Sequence, residues 1–167
     1  MNDKLGWKEA LEVAMGAELK AKAFYAQAAG RVQDPAGRDL LGRLAAFEQY
    51  HYDKLAELAA SLLDDGPFIA YESRSVEQFA PLAGGEADGT QVEELQDLPT
   101  ILTRAIANEK VAGERYQMLA DGTTDPDGRA MFRSLANEEG IHQRILEDEF
   151  FSISNQGVWG WSGLYGE

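Results

Sequence analysis

The chain has 167 residues, 44% of them hydrophobic and 26% charged, which is enough to bury one domain's core and too apolar for a disordered chain. Asp and Glu number 29 against 15 Lys and Arg, and the net charge of −14 argues against binding nucleic acid or docking on an anionic membrane surface. Cys is absent, which excludes disulfides, thiolate catalysis, iron–sulfur clusters and Cys-ligated metal. No apolar run reaches the roughly 18 residues of a membrane span, and the segment after Met1 has no apolar signal core, so a cytoplasmic protein is expected.

Four stretches carry hydrophobic residues at helical spacing. The first, about 6–30, has the stripe Leu11, Ala14, Met15, Glu18, Ala21, Tyr25 and Ala28. The second, about 37–63, has Leu41, Leu44, Glu48, His51, Leu55, Leu58 and Leu62 on one face. Pro99 opens the third, about 98–121, where a missing N–H costs little; its stripe is Leu102, Ala105, Ile106, Glu109, Ala112, Tyr116 and Leu119. The fourth, about 127–151, aligns Phe132, Leu135, Glu139, His142 and Leu146.

Short breaks at Asp34-Pro35-Ala36-Gly37 and at 121–128 predict two antiparallel hairpins. Residues 64–98 hold Gly66-Pro67, Pro81, Gly84-Gly85 and Gly89 and no long periodic run. A helix of about 24 residues is roughly 36 Å long, and this segment is long enough to run its length. The pattern therefore predicts an all-α four-helix bundle over 1–152, with a crossover at 64–98 that leaves the second and third helices parallel. Phe68, Ile69, Tyr71 and Phe79 would pin the crossover. The tail, 153–167, carries Val158, Trp159, Trp161, Leu164 and Tyr165, either to cover the core or to form a dimer or partner contact.

The two hairpins repeat without a gap at an offset of 91 residues. Leu11 maps to Leu102, Glu18 to Glu109, Tyr25 to Tyr116, Asp34-Pro35 to Asp125-Pro126, Glu48 to Glu139, His51 to His142 and Leu55 to Leu146. A repeat alone preserves core leucines. Here it also preserves acids and imidazoles on the stripes that should face inward.

Residues three apart on a helix share a face, so each Glu-x-x-His can reach one metal pair. Glu18, Glu48, His51, Glu109, Glu139 and His142 would then converge from four helices. Four ionised carboxylates cannot share an apolar core unaided, whereas two divalent cations balance their charge. Carboxylate with imidazole suits iron or manganese, and one Glu from each of two helices plus Glu-x-x-His from the other two is a di-metal carboxylate arrangement. Both His of the chain fall in this pattern. Tyr25 and Tyr116, two turns beyond Glu18 and Glu109, read either as hydroxyl donors to a ligand carboxylate across the bundle or as core aromatics. Glu12, Asp53, Glu57, Glu114, Glu138 and Glu147 read as solvated faces or as an entry path for cations. Met15 and Phe47 read as core.

At these positions the sequence resembles the rubrerythrin family of the ferritin-like superfamily. The matching motifs are Glu18-x6-Tyr25, Glu48-x-x-His51, Ala107-Asn108-Glu109 and Glu138-Glu139-Gly140-Ile141-His142, across about residues 8–150. The resemblance implies a ferritin-like bundle with the six Glu and His as di-iron ligands, Glu48 and Glu139 bridging. It also implies reaction of ferrous iron with hydrogen peroxide or dioxygen. Two departures stand out. No Cys-ligated rubredoxin-like domain is present, so electrons must come from a separate donor protein. Ala112 stands where the family often has a further Glu. The remaining four-Glu, two-His set is also that of bacterioferritin-type ferroxidation. The leading expectation is a di-iron oxidoreductase, as a homodimer, with manganese as the alternative metal. A ferroxidase or iron-storage protein, and a metal-free helical scaffold, are the other readings.

Overall fold

The computed structural model describes residues 3–82 and 97–163. Its helices are α1 (Asp3–Arg31), α2 (Pro35–Leu63), α3 (Leu98–Gly122) and α4 (Pro126–Gln156), with a short 3₁₀ turn at Val76–Gln78. Among the described residues there is no strand, and no helix is long and apolar enough to cross a membrane.

Both hairpin turns are built alike. Asp34 and Asp125 cap α2 and α4, each accepting from the backbone N–H groups two and three residues on, with a Pro in the first turn. Such a cap is worth about 1 kcal/mol. Arg38 and Arg129 then reach back to the carbonyls of Val32 and Thr123. The repeat seen in the sequence is thus a repeat of turn chemistry.

α1 packs along α2 and α3 along α4. Tyr25 donates to Glu109 and Tyr116 donates to Glu18, so α1 and α3 run antiparallel and α2 and α3 run parallel. The crossover climbs back along α2. Ser61 donates to the Pro67 carbonyl, Tyr50 to the Glu72 carbonyl, Arg43 to the carbonyls of Glu77 and Phe79, and Leu82 N–H to Gly42. Phe68, Ile69 and Tyr71 pack on one end of the core and Phe79 on the other. Phe68 stands edge-on to Trp7 and Phe132, and a Cβ on Gly128 would meet its ring at 2.5 Å, so glycine is required there. Residues Gly84-Gly85 and Gly89 lie outside the described residues.

The apolar core is in two parts. One gathers Phe24, Leu40, Leu44, Phe47, Leu102 and Leu146; the other gathers Leu11, Leu55, Leu58, Met131, Phe132 and Leu135. The polar stripe positions lie between them.

α4 runs to Gln156, past the helix end expected at about 151. The Ser and Asn residues at 152–155 are weak helix formers but do not stop it. Gly157, at φ 72°, does, because a left-handed residue ends the ladder without a Cβ penalty. Beyond it the tail covers the core. Trp161 is buried and its indole N–H donates to Asp39 at 2.8 Å; Trp159 lies against Gly37, whose added Cβ would strike the indole at 2.5 Å. Val158 is exposed, and Leu164 and Tyr165 lie outside the described residues.

Replacing Trp161 with Ala should cost about 3–5 kcal/mol, read as a lowered denaturation midpoint. Trp161→Phe, which mainly loses the hydrogen bond, should cost about 1 kcal/mol. Equal and negligible losses would mean that the tail does not seal the bundle.

Candidate metal centre

The six Glu and His of the repeat are brought together at mid-bundle, each at most 2% exposed. α1 supplies Glu18, α2 Glu48 and His51, α3 Glu109, and α4 Glu139 and His142. Their donor atoms form two groups in which all atoms lie within 4.8 Å of one another: Glu18, Glu48, His51 and Glu139, and Glu48, Glu109, Glu139 and His142.

Glu48 and Glu139 belong to both groups, one oxygen to each side. Glu48 Oε2 is 3.2 Å from His51 Nδ1, and its Oε1 is 3.6 Å from His142 Nδ1. Glu139 Oε1 is 3.4 Å from His51 Nδ1, and its Oε2 is 3.1 Å from His142 Nδ1. Glu18 approaches His51 Nδ1 at 3.7 Å and Glu109 approaches His142 Nδ1 at 3.7 Å. Each imidazole thus turns Nδ1 toward three carboxylates.

Several of these atoms have no hydrogen-bond partner: Glu48 Oε1, both Glu139 oxygens and both His142 nitrogens. A buried polar atom left unpaired costs about 1–3 kcal/mol, more if charged, so this much unmet bonding in one place is costly. Two divalent cations would offset it, and the clusters of carboxylate and imidazole fit a metal site.

The electrostatics point the same way. Burial, then the charges of Glu139, Glu109 and Glu18, push Glu48 well above the usual carboxylate range. Burial and Glu139 push Glu109 up to about 7. Burial alone would lower His51 and His142, but the surrounding carboxylates raise both. Glu139, facing both imidazoles, is held below its ordinary value despite its burial. Without cations, protons do the compensating.

Tyr25 and Tyr116 are buried and donate across the bundle to Glu109 and Glu18. Burial and the nearby carboxylates raise both phenols, so they remain donors. Phe47 is core, and its ring also lies 4.9 Å from the His51 ring and 4.4 Å from the His142 ring, centroid to centroid. Met15 packs at the edge of the second core part.

Glu138 is not on a solvated face. It is 1% exposed, and its carboxylate takes hydrogen bonds from Tyr71 O–H (2.5 Å), Ser73 O–H (2.7 Å) and Arg74 N–H (2.8 Å), with His51 Nε2 at 2.9 Å. These donors hold it below the usual carboxylate range against the desolvation that would raise it. Its repeat partner is the core residue Phe47, and that offset was the signal in the sequence for burial. Glu149 is likewise buried, its Oε2 accepting from Gly160 N–H, and it maps to the core residue Leu58. Glu12, Asp53, Glu57, Glu114 and Glu147 are exposed.

A cavity of about 290 Å³ opens between α1 and α3 onto Glu18, Glu48, Glu109 and Glu139. Ala21 and Ala112, related by the repeat, line it together with Phe24 and Tyr25, and Lys20 and Arg115 border it as well.

Residues 100–156 match the rubrerythrin family. The match covers all of α4 and α3 from its third residue. That hairpin supplies Glu109, Tyr116, Glu138, Glu139 and His142, and the 91-residue repeat extends the same pattern to the first hairpin. A solved structure titled as a hypothetical protein from Pyrococcus furiosus superposes with a TM-score of 0.68 over 92% of this chain and 93% of that one, at 21% identity. At that identity the likeness shows the fold. No curated protein matches the chain.

In the cation-free protein, Glu48, Glu109, His51 and His142 bind protons more tightly folded than unfolded. Folding therefore takes up protons, and stability should fall as pH rises from about 5 to above 7, from the unfolded carboxyl range through the raised folded values. Glu139 acts oppositely, its stabilisation being lost only in acid. Cations displace the protons, so loading at pH 7 should release protons and flatten the dependence. Denaturation midpoints across this range, with chelator and with ferrous or manganous ion, check this; a flat curve under chelation contradicts it.

Proposed function

We propose that the protein is a di-iron oxidoreductase that reduces hydrogen peroxide or dioxygen with electrons from a separate donor protein. The observation that supports this most is the pair of buried groups sharing Glu48 and Glu139, with their donor atoms left unpaired. Glu18 and His51 would hold one iron, Glu109 and His142 the other, and Glu48 and Glu139 would bridge. When bound, a ferrous pair supplies two electrons to the oxidant.

The remaining roles belong to the chain. Four carboxylates match the charge of two divalent cations. The two apolar core parts exclude water above and below, which strengthens every electrostatic contact between them. Tyr25 and Tyr116 each occupy one oxygen of Glu109 and Glu18, fixing how those carboxylates face the centre. The cavity between α1 and α3 admits a small oxidant, and with Ala112 on its wall no further carboxylate enters from that position.

That same simple set of four Glu and two His favours a second reading, a ferroxidase that hands iron on or stores it. Assembly size and iron content separate the two: about two irons per chain in a homodimer favour the enzyme, and tens per chain in a cage favour storage. Metal analysis of the isolated protein separates iron from manganese.

Anaerobic loading should saturate at two ferrous ions per chain, and one hydrogen peroxide should oxidise both, taking two protons and leaving two waters. Glu48→Ala and Glu139→Ala should bind fewer than two. Tyr25→Phe should keep the stoichiometry and slow the oxidation by about 10–100-fold. Ferrous iron that binds but survives peroxide would overturn the enzymatic reading.

A further inference from the structure

The two halves of the centre are unlike at one repeat-related position. Residues 47 and 138 each precede the Glu of a Glu-x-x-His, and each reaches across the bundle to the other half's imidazole. On α4 that residue is Glu138, whose Oε2 lies 2.9 Å from His51 Nε2. On α2 it is Phe47, whose ring centroid lies 4.4 Å from that of His142.

The consequence for each imidazole follows from its second nitrogen. Glu138 already accepts from Tyr71, Ser73 and the backbone of Arg74, so it is a fixed acceptor. When His51 ligates a cation its one remaining proton then belongs on Nε2, which leaves Nδ1, the nitrogen facing Glu18, Glu48 and Glu139, as the ligating atom. His142 has no such partner, since neither of its ring nitrogens has a hydrogen bond in this structure. Its tautomer is unspecified and its neighbour is a phenyl ring. A carboxylate behind a ligating imidazole fixes the ring and raises its basicity, and removing one typically costs about 10–100-fold in metal affinity.

From this asymmetry we propose that the two cations load in order, the Glu18/His51 subsite first and more tightly, with Glu138 as the positioning residue that sets the order. The proposal rests on the di-metal reading above. It makes the Glu109/His142 subsite the exchangeable one, although both subsites share the same bridging carboxylates.

The test is a calorimetric titration of the chelator-treated full chain with Mn²⁺, a redox-silent probe, under argon. Wild type should bind two ions in two steps. Glu138→Gln, which keeps the shape and a hydrogen-bonding group but not the charge, should weaken the first step about 10–100-fold and leave the second nearly unchanged. The cation-free variant should melt within a few degrees of wild type, a readout that a merely structural role would move. His142→Ala should retain the tight step, and His51→Ala should lose it, which keeps the order testable even where Glu138→Gln folds poorly. Two bound ions with Glu138→Gln unchanged, or a tight step surviving His51→Ala, would overturn the ordered loading and leave the two-cation site standing. No Mn²⁺ binding, with none of Fe²⁺ either, would overturn both.

Discussion

Four carboxylates and two imidazoles held in a water-poor bundle set the terms for the rest of this molecule. In an apolar medium such a cluster is tolerable only if its charge is matched within a few ångströms. The chain does so with pairings that span the whole bundle: Tyr25 with Glu109, Tyr116 with Glu18, and His51 and His142 with carboxylates on neighbouring helices. The helices then have to stay in register, because sliding one by a turn would separate an imidazole from its acids. The two apolar core parts, one on each side of the centre, resist such sliding. Hydrophobic packing and charge compensation specify the same arrangement.

The duplication explains much of the architecture and also where it fails. Caps, turn arginines, tyrosine–carboxylate pairs and Glu-x-x-His motifs recur at the same offset, and the folded halves relate to the centre in the same way. The crossover breaks this symmetry, since it runs along α2 and brings Tyr71, Ser73 and the backbone of Arg74 to the first half's imidazole through Glu138. Nothing in the described residues does the same for His142. One linker therefore makes two nearly equal halves chemically distinct.

The helices and the convergence of six side chains were legible in the sequence through periodicity and the 91-residue repeat, and the two hairpins and the parallel α2 and α3 through the lengths of the connections, all of which survive without tertiary information. Two kinds of feature were not. The end of α4 depended on the left-handed Gly157 rather than on the weak helix formers before it. The burial of Glu138 depended on partners in the crossover, a segment with no periodicity to read. An acid beside another acid on a helix normally faces water, and only its alignment with Phe47 carried the contrary signal. Glu149, aligned with Leu58, follows the same logic, because a peptide N–H from the tail makes its burial tolerable.

The placement of Glu139 has a bearing on biosynthesis. This one residue belongs to both groups of candidate ligands, and it sits on α4, which leaves the ribosome after the other three helices. A nascent chain bearing only the first hairpin holds three of the four donors of one group and just Glu48 of the other. Neither coordination set closes until α4 has emerged and docked. A nascent chain that lacks α4 therefore has no closed set of donors in which to hold an ion prematurely.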